Sequence, residues 1–137
     1  MEADSMQERT ATTAFLALPV SGSQIRINDL PVFVEADIAD VSVVRVDLGM
    51  CLMFRFQPAA QRSLYRLSGD RQGRRLVLVH NGLPLGARRF EGVIDSGLLF
   101  MFVEVEDTQL HDLAEEMNGI LQAAQKKDRF VRAGGGH

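Results

Sequence analysis

The stretch Arg74 to Phe90, Arg-Arg-Leu-Val-Leu-Val-His-Asn-Gly-Leu-Pro-Leu-Gly-Ala-Arg-Arg-Phe, constrains the fold of this chain more than any other. Leu76-Val77-Leu78-Val79 is apolar at every position. A strand with one solvent-facing side would alternate, so the pattern predicts an internal strand covered on both faces. Asn81-Gly82 then supplies the pair favoured by a two-residue type I′ turn, whose central residues both need positive φ. Leu83 to Phe90 returns as a second strand, with Gly86 marking a bend or bulge. Another wholly apolar run, Leu98 to Val103, predicts a strand lying beside the first inside the same sheet.

The flanking chain supplies more strands and two helices. Phe15 to Val20 and Gln24 to Ile27 form a predicted N-terminal hairpin around Ser21-Gly22-Ser23. Pro31 to Glu35 is a short extended segment marked by its proline as an edge or an entry. Val41 to Val46 and Cys51 to Phe56 are strands, and the apolar phase slips between Val43 and Val44, as a β-bulge requires. Pro58 suits the first turn of a helix. Ala60, Leu64 and Leu67 then make one apolar stripe, and Gly69 is the expected stop. The last helix starts with Asp107 as N-cap. Its inner face carries Leu110, Leu113, Ala114, Met117 and Leu121, with Asn118-Gly119 a weak point.

Strands, a helix, three strands and a helix fit an α+β fold. The predicted form is a two-layer sandwich, a largely antiparallel sheet with both helices packed on one face. A length of 137 residues, 46% hydrophobic and 24% charged, suits one domain with a real core. The expected limits are a flexible arm over 1–13, the domain over 14–127, and a flexible tail over 128–137.

Composition excludes several classes of function. No apolar run approaches the roughly 20 residues needed to span a bilayer. The acidic start and the short run Ala14 to Leu18 do not read as an export signal. Cys51 is the only cysteine, so no cysteine-based metal cluster or internal disulfide is expected. His80 lies beside the turn, His111 on a helix and His137 at the terminus, and no zinc-peptidase, hydrolase-elbow or Walker motif occurs. Glu35 and Asp37 read as structural, turn-flanking acids. The expectation is a non-catalytic protein without metal or cofactor.

Charge is distributed unevenly. Arg55, Arg62, Arg66, Arg71, Arg74, Arg75, Arg88 and Arg89 face a single acid, Asp70, between Cys51 and Phe90, although the whole chain carries -3. Such a segment either pairs with acids elsewhere in the fold or presents an anion-binding face. Arg74, Arg75, Arg88 and Arg89 are the candidate partner- or anion-binding residues. The isoelectric point near 5.6 argues against nucleic acid, as does an arginine segment whose one tyrosine is Tyr65 and whose phenylalanines alternate as core residues do.

From Pro31 to about Leu121 the chain resembles the head part of the first periplasmic domain of SecD, a membrane subunit of the bacterial protein-export machinery. The matching pieces are Glu35-Ala36-Asp37-Ile38, then Leu52-Met53-Phe54-Arg55-Phe56-Gln57-Pro58 entering a helix. Gly73 to Gly82 follows where the family has a G-K-x-L-A-I-V-L-D-G type strand and turn, and Leu113-Ala114 lies on an acid-rich helix. Asn81 replaces the family's usual aspartate, and Arg88 stands where a proline is usual. The resemblance implies the SecD-head fold and no catalytic residues. It also implies a binding or accessory role at the bacterial envelope, with unfolded or acidic polypeptides or export-machinery components as partners, and a periplasmic or envelope-associated location. The alternative is a small-anion or nucleotide-binding domain using the arginine-rich face.

Overall fold

The computed structural model describes residues 13–18 and 31–135. Six strands and two long helices follow in order. They are β1 (Thr13–Leu18), β2 (Ile38–Val46), β3 (Gly49–Phe56), α1 (Pro58–Asp70), β4 (Arg75–His80), β5 (Leu83–Arg89), β6 (Leu98–Met101) and α2 (Asp107–Gly135). A 3-10 turn at Glu35–Asp37 precedes β2. The strands form two antiparallel three-stranded sheets, ordered β1-β4-β5 and β2-β3-β6. The class is α+β, as the alternation of patterns predicts. Both helices bury their apolar stripes in one cluster with the inner faces of both sheets, through Ala60 and Leu64 of α1 and Leu110, Ala114, Met117 and Leu121 of α2.

The predicted internal strand is β4, paired with β1 on one side and β5 on the other. Leu76 and Leu78 enter the core and Val77 is buried on the opposite face. Asn81 and Gly82 have φ of 54° and 81°, the positive values that a type I′ turn requires. The register of β5 shifts opposite Leu78 and Val79, which leaves Leu85 as the bulged residue beside Gly86.

Leu98–Met101 is a strand, but it pairs with β3 rather than β4. Its link to the first sheet is a narrow seam against β5. There the Leu85 carbonyl accepts a hydrogen bond from the Glu104 N–H at 2.8 Å. Arg88 Nη1 donates to the Phe100 carbonyl at 2.9 Å. A Cβ on Gly86 would run into the Phe102 carbonyl oxygen, so the absence of a side chain sets how closely the sheets approach. Across the interior Phe15 meets Phe54 edge-to-face, with centroids 5.1 Å apart, and Phe33 meets Phe56 likewise at 4.9 Å. These rings tie β1 of one sheet to β3 of the other.

Several local expectations need correction. Val43 and Val44 pair in unbroken register with Leu52 and Cys51, and the β2 irregularity lies between Ile38 and Asp40. The phase slip arises because both faces are apolar here: Leu52 is buried on one side and Cys51 on the other. Gly69 lies inside α1, which ends at Asp70, and Gly73 takes the positive φ of 87°. Asp107 is the first helical residue rather than the cap, a one-residue difference at a helix start. α2 runs through Asn118-Gly119 and on to Gly135, because Asp128 to Ala133 contains no helix breaker. Thr13, placed in the arm by its sequence, opens β1 and is buried. The predicted strand Gln24–Ile27 lies outside the described residues.

The reason α2 does not break at Asn118 is tertiary. Its side chain bonds the edge strand as a neighbouring strand would: Oδ1 accepts the Val41 N–H at 2.9 Å and Nδ2 donates to the Val41 carbonyl at 2.8 Å. Gln125 Nε2 likewise donates to the carbonyls of Ile38 and Ala39. Asn118→Leu strands two backbone groups, and a loss of about 1–3 kcal/mol is expected. Urea unfolding should show a lower midpoint at unchanged slope.

Candidate functional site

The four candidate arginines do not share one face. Arg75 and Arg89 are directly opposed across the β4–β5 ladder, which places both side chains on one side of the sheet. Arg88 is opposed to Leu76, a core residue, and lies on the other side. It is half-buried and spends one donor on the seam, so its role there is structural. Arg74 precedes β4, where its carbonyl accepts the Phe90 N–H at 2.9 Å. The opposed pair Arg75 and Arg89 is the arrangement that internal pairing does not explain. Among the described residues the ion pairs are Arg55–Asp40 and His80–Glu116, and Arg75 Nε is buried without a hydrogen-bond partner. Like charges in register destabilise a ladder, and an anion would relieve them. An open cleft of about 300 Å³ lies alongside, lined by Arg88, Arg89 and the turn from Phe90 to Ile94.

Sheet edges are the second candidate. Pro31–Val34 touches β1 through a single bridge, Phe15 to Phe33. Its amides are already engaged: Val32 N–H and Phe33 N–H point to the Phe15 carbonyl, Val34 N–H goes to Asp37 Oδ2, and Pro31 has none. This segment therefore offers no ladder to an added strand. β2 does. Val41 directs its N–H and C=O out of the sheet to Asn118, and residues two apart in a strand point the same way. Val43 and Arg45 therefore direct theirs outward beyond the reach of Asn118, and no described residue bonds them. The sequence gives no warning of this edge, because pairing order was needed to see it.

His80, the last residue of β4, is buried. It is 6% exposed, with Nδ1 2.9 Å from Thr13 Oγ1 and Nε2 2.7 Å from Glu116 Oε2. Thr13 N–H donates to Glu35 Oε2 at 2.7 Å. The network joins β1, β4, the 3-10 turn and α2. Thr13 is 1% exposed, which denies its hydroxyl to any substrate. Glu35 and Asp37 accept separate backbone donors and form no acid pair, in line with their structural reading.

Cys51 is fully buried on the outer side of β3. Burial pushes its thiol above the ordinary range, against a smaller downward pull from the nearby Arg88 guanidinium. The thiolate is the reactive form. A thiol reagent at neutral pH should leave the native protein unmodified over the time in which it titrates the denatured protein completely. Equal rates would refute the burial.

No protein-family model matches the chain, and no curated protein matches it. Solved structures do. A structure described as the crystal structure of SecDF in a super-membrane-facing form aligns over 88% of this chain with TM-score 0.64 and 15% identity. A second, described as SecDF, a membrane component that enhances protein export, aligns over 88% with TM-score 0.66 and 18% identity. The fold is SecD-like. The chain spans 20% of the first SecDF chain and 66% of the second. No helix among the described residues of this SecD-like chain is long and apolar enough to cross a membrane.

Proposed function

We propose that this SecD-like chain is a non-catalytic binding module of the bacterial envelope that holds extended polypeptide, in a role related to protein export. The outward backbone of Val43 and Arg45 on the edge strand β2, bonded by no described residue, carries the reading, since an extended chain adds to such an edge through main-chain hydrogen bonds with little regard to sequence. The SecD-like fold and the protein-export context of the SecDF structures support it. Arg45 is exposed and its N–H points outward, so Arg45→Pro blocks the edge where proline is tolerated. With a permanently unfolded, reduced and alkylated protein as probe, fluorescence anisotropy should show binding that weakens about tenfold in Arg45→Pro, the equivalent of one net main-chain hydrogen bond. Unaltered affinity would refute the edge, and no binding by the wild type would refute the reading.

A second reading follows from the opposed pair Arg75 and Arg89, which fits an acidic polypeptide segment or a small anion such as a nucleotide. A ligand bound only by the native state raises the melting temperature with its concentration. Acidic peptide, nucleotide and phosphate should do so for the wild type and not for Arg89→Glu. Arg88 is unsuitable for this test because its loss would open the seam.

A further inference from the structure

A groove of about 470 Å³ runs between the 3-10 turn and α2, lined by Glu35, Glu116, Gly119, Ile120, Ala123 and Ala124. Its floor is apolar and its two charged groups are both acids. Among the described residues each carboxylate is anchored through one oxygen: Glu35 Oε2 accepts from Thr13 N–H, and Glu116 Oε2 takes the contacts with His80 and Asn81. Neither has a lysine or arginine partner among the described residues. The groove therefore sets two positioned acids, Glu35 and the His80-bound Glu116, against an apolar trough.

Gly119 adds an independent observation. It sits mid-helix without positive φ, and a Cβ built on it would meet nothing within 4 Å. Glycine in a helix interior is less stable than alanine, and here neither backbone nor packing calls for it. Its visible effect is to deepen the groove beside Glu116.

We propose that the groove seats a lysine or arginine side chain of a bound polypeptide, with an apolar neighbouring residue lying over Ile120. The charged head meets the Oε1 atoms of Glu35 and Glu116, and the methylene stem lies along Gly119 and Ala123, the division of labour such side chains favour. This rests on the polypeptide-binding reading for its choice of ligand, and it names the side chain that is recognised.

The test uses the full chain and two labelled peptides that differ only in carrying lysine or norleucine among leucines and alanines. Loss of a charge-assisted contact predicts about tenfold weaker binding for norleucine, and for Gly119→Leu and Glu116→Gln with the lysine peptide. Gly119→Leu improves helix propensity, so a failure to fold does not confound it. Equal affinity for both peptides, or unchanged binding in Gly119→Leu, overturns the proposal; should Arg45→Pro still weaken binding in that case, the edge reading survives alone. Hexylammonium separates the two in the other direction. If no peptide binds, yet this cation shifts the amide resonances of Gly119, Ile120 and Ala123 in the wild type and not in Gly119→Leu, the groove stands and the polypeptide reading falls. Absence of those shifts together with absence of peptide binding overturns both.

Discussion

Replacing Phe54 by alanine is expected to cost about 3–5 kcal/mol, the range for truncating a buried aromatic ring. Phe54 is fully buried on β3 and meets Phe15 of β1 edge-to-face at 5.1 Å and 85°. The contact bridges the two sheets, so the cavity opens between layers rather than within one. Native domains are stable by roughly 5–15 kcal/mol, and a loss of this size leaves the variant marginal. Guanidinium unfolding of Phe54→Ala should show a greatly lowered midpoint. A double-mutant cycle with Phe15→Leu should return a coupling of about 0.5–1.5 kcal/mol, as expected for an edge-to-face pair. Strict additivity would show that the rings contribute only their buried area.

The second large effect is expected at Gly86. A side chain there is driven into the Phe102 carbonyl and against Met101, and backbone cannot step aside as a flexible side chain can. Gly86→Val should therefore cost about 1–3 kcal/mol or more through overpacking, and Gly86→Ala less. The damage has a predicted location. The Glu104 N–H bonds the Leu85 carbonyl across the seam, so its hydrogen exchange should quicken in Gly86→Ala more than that of amides in the β1–β4 ladder. Uniform acceleration along the chain would mean that the seam opens only with global unfolding.

Both effects arise where the two sheets meet, and the candidate binding features lie at the margins that this meeting leaves uncovered. Arg88 is drawn into the seam and leaves Arg75 and Arg89 opposed on the other face of the ladder. α2 guards Val41 of β2 through Asn118, and no described residue bonds the outward groups of Val43 and Arg45. The groove exists because α2 passes the 3-10 turn with Gly119 and Ala123 facing the gap. None of these sites is encoded in a contiguous motif. The arginines were visible in the sequence as a group, but strand register alone separated Arg88 from its neighbours. His80 gave no signal of burial, because a histidine beside a turn is ordinarily solvated and its partners Thr13 and Glu116 are distant in the chain.

The sequence by itself determined the hairpin from Arg74 to Phe90. Leu76 to Val79 is apolar at every position, and Asn81-Gly82 accepts positive φ at small cost, so local chemistry dictates strand, turn and strand. It likewise determined both helices, through Pro58 at the start of one and the apolar stripe of the other. Tertiary structure decided the partners. β6 is as apolar as β4 and suits either sheet by composition; it pairs with β3, because β1 and β5 already occupy both edges of β4. Periodicity records which face of an element is buried, whereas pairing order depends on contacts between residues far apart in the chain, and those contacts also decide which edges and grooves stay open to a partner.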